Sequence, residues 1–411
     1  MLSSSRIPGT YPTTGFELIE NPKLLDEETL PSYYPEKYYP AHLGEILGER
    51  YQILGKLGFG TTSTWKTFPT KFRTDAYVAL KLYVTGAKRD RELNMYKRIE
   101  AACAETDHPG RPFIRKLLHS FQVKGPHGDH LCLVHEPLGL NLSQISDYYP
   151  GRKLDLEIIR PSLRNILIGL DFLHIIAGII HTDLQTTNLI FSVSRPEILA
   201  AFEDQQASDP VPRKILDDGR TIYSTRPLNL CNGLPLLCDF GEARTFEEAG
   251  TPGEDVMPDV YKAPEVILQM KWDHQIDIWN VAMVVWHLLM GEPLFKGRSP
   301  CGTYQDDRVH MAEMVALMGN PPLEFTQRSH MSRALWDETG KWKGAAPIPD
   351  ISLEKLGANI IGDDEDKEGF LEYFRKMLCW VPEERPNCEE LVLDPWLMKG
   401  LNIQKPIVRT R

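Results

Sequence analysis

"HTDLQTTN", residues 181–188, sets one imidazole, one carboxylate and two carboxamides within eight residues. It follows "LEIIRPSLRNILIGLDFLHII", in which Ile159, Leu163, Ile166, Leu167, Leu170 and Leu173 recur at three- and four-residue steps. That period predicts a helix with one apolar face, delivering the chain to His181. A His, an Asp and an Asn at this spacing also arise by chance in a long chain. The neighbouring stretches decide their meaning.

Downstream, "PLLCDFGEA" reads as a short strand ending in Asp239, and "APE" follows at Ala263, Pro264 and Glu265. Upstream, "LGFGTTSTWK" places Gly58 and Gly60 in a strand turn, where the missing side chains let backbone N–H groups approach an anion. "VALK" then ends in Lys81, and the helix-forming "AKRDRELNMYKRIEAAC" carries Glu92. A glycine turn, a lysine closing a strand and a helical glutamate are each ordinary structural features taken singly. Together and in this order they match the requirements of phosphoryl transfer: a phosphate cradle, a cation on the phosphates, metal ligands, and a carboxylate that orients the attacking hydroxyl.

The chain therefore resembles a eukaryotic protein kinase, with motifs running from Tyr51 to about Trp396. The resemblance implies an α+β, bilobal fold, a small β-rich N-lobe and a larger, mostly helical C-lobe, with ATP and Mg²⁺ as cofactors. It implies Asp183, Lys81, Glu92 and Gln185 as catalytic residues, with Asn188 and Asp239 as metal ligands. Nucleotide contacts would come from Leu57, Gly58, Gly60, Ser63, Trp65, Ala79, Lys81, His135 at the gatekeeper position, Glu136 and Leu138 on the hinge, Asn188 and Asp239. Asp277 in "DIWN" would brace the catalytic loop, and Arg385 in "PEERP" would pair with Glu265.

A narrower likeness fits the departures. "HLGEILGERYQILGKLGFG", "HTDL", the long segment between the catalytic loop and "DFG", and "YQDDRVHMAEMVALMG" after "GEPLF" are similar to the kinases of serine/arginine-rich splicing factors, in the CMGC group. In that family Thr182 and Ser63 are normal. Lacking an Arg beside His181, the chain has no obvious receptor for an activation-segment phosphate, so activity without upstream phosphorylation is expected. Two positions depart even here: Gln185 replaces the usual Lys, and Pro258 stands where a Thr normally bonds that Lys and Asp183. Gln donates a hydrogen bond without charge, a loss of about 1–3 kcal/mol of transition-state stabilisation. The expected reaction is transfer of the γ-phosphate to Ser, or less often Thr, of Arg/Ser-rich proteins. The alternative is a pseudokinase, a weakly active kinase-fold binding scaffold; Tyr as acceptor is disfavoured because the loop lacks the Arg of tyrosine kinases.

Composition bounds the rest. At 411 residues and 42% hydrophobic the chain is too long for one ordinary core. A net charge of -11 disfavours direct nucleic-acid binding and suits basic partners. Asp306, Asp307 and the "GDDEDKE" run at residues 362–368 are candidate docking charges. Seven Cys without a C-x-x-C pair predict reduced thiols, no apolar run reaches the ~20 residues of a membrane span, and a cytoplasmic or nuclear monomer is expected. The expected layout is an N-terminal tail over residues 1–44, the N-lobe and hinge over 45–138, and the C-lobe over 139–398. A surface insertion without sustained period lies at about 195–235, and a C-terminal tail at 399–411.

Overall fold

The computed structural model describes residues 11–401, except 61–62, 70–76, 87–88, 194, 229–232 and 300. The chain packs as two compact units. The first takes the described residues up to Thr106, then Ile114–Ile145 and Thr187–Gly241; the second takes Asp107–Phe113, Ser146–Thr186 and the chain from Glu242 onward. The insertion and the strand before Asp239 thus group with the N-terminal part, whereas the expected layout placed them in the C-lobe.

In the first unit a two-residue ribbon, β1 (Ile46–Leu47) and β2 (Tyr51–Gln52), leads into a five-stranded antiparallel sheet. Its strands are β3 (Gly55–Phe59), β4 (Ser63–Pro69), β5 (Tyr77–Tyr83), β6 (Leu117–Gly125) and β7 (Gly128–His135), in the order β3-β4-β5-β7-β6. Helix α1 (Arg89–Ala104) follows β5. Strand period decides what β5 shows to each side. Val78, Leu80 and Leu82 enter an apolar core with Ile53, Cys132 and Val134, which leaves Ala79 and Lys81 on the opposite face. Register then sets Ala79 across from His135 and Lys81 across from Leu133.

Strand β8 (Leu138–Asn141) leads into a short helix, α2 (Leu142–Ser146). The second unit opens its long helices with α3 (Leu156–Asp171), in which Asp155 accepts from the Ile158 N–H at 2.9 Å as N-cap. The expected stripe is buried along it: Ile159, Leu163, Ile166, Leu167 and Leu170. After it, β9 (Ile179–Ile180) precedes "HTDLQTTN".

Strand β10 (Leu189–Ser192) returns to the first unit, followed by helix α4 (Pro196–Ser208), the hairpin β11 (Arg213–Ile215) with β12 (Thr221–Tyr223), and β13 (Pro235–Leu237). The segment read as lacking a period therefore contains a helix of 13 residues. Leu199 and Phe202 on α4 close a small core with Leu228, against Leu57 and Tyr77.

The chain returns to the second unit with β14 (Arg244–Thr245), paired to β9, then α5 (Pro264–Ile267), α6 (Gln275–Met290) and α7 (Asp307–Met318). Helix α6 is apolar nearly all round, as a helix enclosed on all sides must be. It ends at Gly291 (φ 72°), where a Cβ would meet the Gly151 carbonyl at 2.3 Å, so only glycine fits this left-handed cap. Among the described residues no helix is long and apolar enough to cross a membrane.

Candidate active site

Strand β5 carries Lys81 buried, 1% exposed. Its ammonium donates to Glu92 Oε2 at 2.7 Å, from the first turn of α1, and to Asp239 Oδ1 at 2.9 Å. Burial alone would lower the lysine pKa, but Asp239 and Glu92 outweigh it and hold the group protonated, above its ordinary value. One helical turn beyond Glu92, Tyr96 meets Phe240 edge-on at 5.3 Å and His135 at 5.1 Å. The residue after Asp239 is thereby locked to the helix that carries Glu92. Asp239 itself lies in the left-handed region (φ 65°), a conformation a non-glycine residue holds only when its surroundings fix it.

The short β10–β13 ladder places the two expected metal ligands side by side. Leu189 pairs with Leu237, and the Cys238 N–H donates to the Asn188 carbonyl at 3.0 Å. Asn188 and Asp239 both line a cavity of about 440 Å³ within the first unit, together with Leu57, Gly58, Gly60, Ala79 and Leu138. That volume lies in the range of small-molecule sites. A mixed carboxylate and amide oxygen set suits a hard cation such as Mg²⁺, which keeps much of its shell as water and phosphate.

Of the other expected nucleotide contacts, Lys81 and His135 are fully buried and Glu136 is exposed. His135 Nδ1 bonds the Lys116 carbonyl at 2.8 Å; burial, then the nearby Arg115, pushes its pKa well down, so the ring is neutral. Ser63 and Trp65 are placed by backbone register only, opposite Tyr83 and Lys81 on β5. Sequence reasoning missed four lining residues that matter. Ile190 and Cys238 flank Asn188 and Asp239, and strand alternation would have found them. Arg115 (donating to the Glu136 carbonyl at 3.3 Å) and Thr225, from the insertion, carry no local signal.

In the second unit the loop is braced from α6. Asp277, fully buried, accepts from the backbone N–H of His181 at 2.7 Å and of Thr182 at 2.9 Å, and from His174 Nε2 at 2.9 Å. Burial would raise its pKa, but these donors and the His174 and His181 rings hold the carboxyl below its ordinary value. Thr182 (φ 64°) donates its hydroxyl to the Glu242 carbonyl at 2.6 Å. Gln185 Nε2 donates to Asp183 Oδ1 at 2.9 Å, so the residue in the unusual position holds the proposed catalytic carboxylate. Glu265 and Arg385 form a bidentate pair, both bonds 2.7 Å, with both side chains fully buried.

A family model described as the protein kinase domain matches residues 51–397. The chain belongs to the protein kinase family. It is similar to a serine/threonine protein kinase of Aspergillus fumigatus, 37% identical over 397 residues that cover 95% of each chain. The serine/threonine-protein kinase SRPK of Physarum polycephalum is 28% identical over 400 residues, 90% of this kinase and 91% of that one. Protein kinase dsk1 of Schizosaccharomyces pombe is 25% identical over 93% of this kinase and 87% of its own length. The protein is thus a serine/threonine protein kinase with a mixed α+β fold.

The candidate docking charges divide on inspection. Asp306 is the N-cap of α7 and is held by Arg308 at 2.7 Å, so its charge is locally matched. Within the run at 362–368, Asp363 caps the helix Asp364–Met377, and Asp366 bonds Lys399 at 2.7 Å. That run builds a helix start, where carboxylates oppose the helix dipole. Asp307 remains, exposed beside Lys262, Asp259 and Asp255.

Proposed function

We propose that the kinase phosphorylates serine in arginine-rich protein segments, using Mg-ATP bound in the first-unit cavity. The observation that carries this reading is the buried Lys81–Glu92 pair joined to the more open Asp239, beside a cavity bordered by glycines and by Asn188. Mg-ATP, when bound, supplies the transferable phosphoryl group together with the charge that neutralises it. Lys81, kept protonated, would orient the phosphates electrostatically, and Asn188 and Asp239 would hold the metal. Asp183 accepts the proton of the serine hydroxyl, and Gln185 fixes the angle of its carboxylate.

Activity without upstream phosphorylation finds support in the activation segment. Arg244, buried, donates to Glu254 Oε1 through Nε at 2.8 Å and Nη2 at 2.6 Å. A carboxylate built into the segment occupies this guanidinium, a role that phosphate plays in regulated kinases. For substrate choice, exposed Asp307 lies beside Asp255 and Asp259, which share the Lys262 ammonium at 3.0 and 2.8 Å; three carboxylates around one cation leave a net acidic surface that suits an incoming arginine.

The test is incubation of the bacterially made protein with labelled ATP, Mg²⁺ and an Arg/Ser-repeat peptide. Transfer to serine that is lost in Asp183→Asn is the expected result. Nucleotide binding without transfer would establish the scaffold reading instead, and a peptide KM unchanged between low and physiological salt would exclude the acidic docking surface.

A further inference from the structure

The N-terminal tail and the insertion meet on strand β3, the strand that carries the glycine turn. Lys56 on that strand is 2% exposed. Its ammonium bonds Asp26 Oδ2 at 2.9 Å, the Glu27 carboxylate, and the Tyr223 carbonyl of β12 at 3.0 Å. The same Asp26 oxygen accepts from Thr225, through the backbone N–H at 2.7 Å and the hydroxyl at 2.6 Å. Next along, the Arg226 N–H donates to the Lys56 carbonyl at 3.0 Å. At the far end of the turn, Tyr38 of the tail donates to the Gly60 carbonyl at 3.1 Å. Helix α4 seats the other side: a Cβ on Gly55 would strike Gln206 at 2.8 Å and Phe202 at 3.0 Å, and Leu57 packs on the Leu199–Phe202–Leu228 cluster. Thr225 also lines the cavity, together with Leu57, Gly58 and Gly60.

We propose that the tail and the insertion act together as a latch on β3, and that Asp26 and Thr225 are positioning residues for the nucleotide. The physical argument is preorganisation. Backbone N–H groups of a glycine turn bind phosphate strongly only if the turn is already in place, because ordering it during binding costs conformational entropy. Glycine gives the turn no stiffness of its own, and β3 lies at the edge of its sheet, paired on one side only by β4. The missing restraint comes from Asp26, whose one oxygen ties Lys56 on the strand to Thr225 on the cavity wall. Asp26 precedes the matched kinase domain by 25 residues, so the nucleotide site depends on chain outside that domain. With its hydroxyl proton committed to Asp26, Thr225 presents to the cavity only a methyl group and acceptor lone pairs.

This inference rests on the assignment of the cavity to nucleotide. It is tested on the full chain by measuring the Kd for Mg-ATP calorimetrically, with KM for ATP, kcat and the melting temperature alongside, for Thr225→Val, Asp26→Ala and Asp26→Asn. Loss of one positioning hydrogen bond predicts a rise in Kd and KM for ATP of roughly three- to tenfold for Thr225→Val and Asp26→Ala, with kcat within about twofold. Asp26→Asn, which keeps an acceptor oxygen, lies between these and the unaltered protein. A purely structural role would lower melting temperature and active fraction but leave Kd unmoved, and that result overturns the latch. So does a fall in kcat with Kd unchanged. If Asp26→Ala does not fold, Thr225→Val, which preserves volume, decides. No binding of ATP by the unaltered chain would sink the cavity assignment itself, whereas normal binding with unresponsive variants sinks only the latch.

Discussion

Removing the Gln185 carboxamide is the sharpest probe of how this kinase works with an uncharged residue where the kinase motif usually has lysine. Its Nε2 donates to Asp183 Oδ1 at 2.9 Å, the side chains both half-buried. A hydrogen bond to a charged acceptor contributes about 1.5–3 kcal/mol net. At about 1.36 kcal/mol per decade, Gln185→Ala lowers kcat by roughly 10- to 150-fold. Because the bond orients the carboxylate and touches no phosphate, the loss appears equally in kcat and in kcat/KM for peptide, with KM for ATP unchanged. Gln185→Lys supplies a charged donor and recovers about 1–3 kcal/mol, raising kcat by roughly 5- to 150-fold. Gln185→Glu places a second anion against Asp183 and falls below the alanine variant. The assay is steady-state transfer to an Arg/Ser-repeat peptide at saturating and limiting ATP. Gln185→Ala within twofold of the unaltered enzyme, or a loss confined to KM for ATP, would refute the assignment.

Three further outcomes follow from other pairs. Glu254→Ala takes the carboxylate from the buried Arg244 guanidinium, leaving it only its contacts with Glu242 and Ala243, and loosens the activation segment, so kcat with peptide falls about tenfold or more while ATP affinity measured without peptide is unchanged. Arg385→Ala leaves Glu265 buried and unpaired, which costs about 3–5 kcal/mol; chemical denaturation should show an earlier midpoint for the second unit, and a midpoint within error of the unaltered protein would contradict the burial argument. Cys301 is exposed, and hydrogen bonds from the Ser299 and Thr303 side chains bring its thiol down from 9.0 to about 7. The thiolate is the reactive form, so iodoacetamide labelling at this site climbs as pH rises through about 7 and disappears in Cys301→Ser. Buried Cys132 and Cys388, whose thiols are pushed up by burial, react only on unfolding.

The parts of this protein legible in its sequence are those whose cause is local. The alternation of Val78, Leu80 and Leu82 against Ala79 and Lys81 encodes which face of β5 meets the core, because strand period is a backbone property. The stripe along α3 is legible for the same reason. Helix α4 was not: only Leu199 and Phe202 among its residues join a core, and the partners Leu57 and Tyr77 lie far away in sequence. Asp26 and Thr225 are 199 residues apart, and nothing near either announces the other. The acidic run at 362–368 was legible only as charge. Asp363 caps a helix and Asp366 meets Lys399 and Arg160, contacts that composition does not reveal, while Asp364 and Glu365 stay exposed.

The departures of the catalytic loop form one system. In regulated kinases the loop arginine and the activation-segment phosphate hold each other, and the loop lysine holds the catalytic carboxylate, so two charged contacts carry the geometry. Here Thr182 bonds the Glu242 carbonyl through a neutral hydroxyl, Gln185 bonds Asp183 through a neutral amide, and the charged contact moves downstream to Arg244 and Glu254. A neutral bond tolerates error in its partner's position less well than a charge, because its energy falls off over tenths of an ångström while a Coulomb attraction acts over several. The loop therefore needs a stiffer support than a charged one would. Asp277 provides it: three donors converge on a fully buried carboxylate and fix the backbone of His181 and Thr182 before any ligand arrives. On the reading proposed above, the Arg244–Glu254 pair stands in for the phosphate contact, and a loop held by neutral hydrogen bonds and a buried carboxylate should keep its geometry largely unchanged by salt.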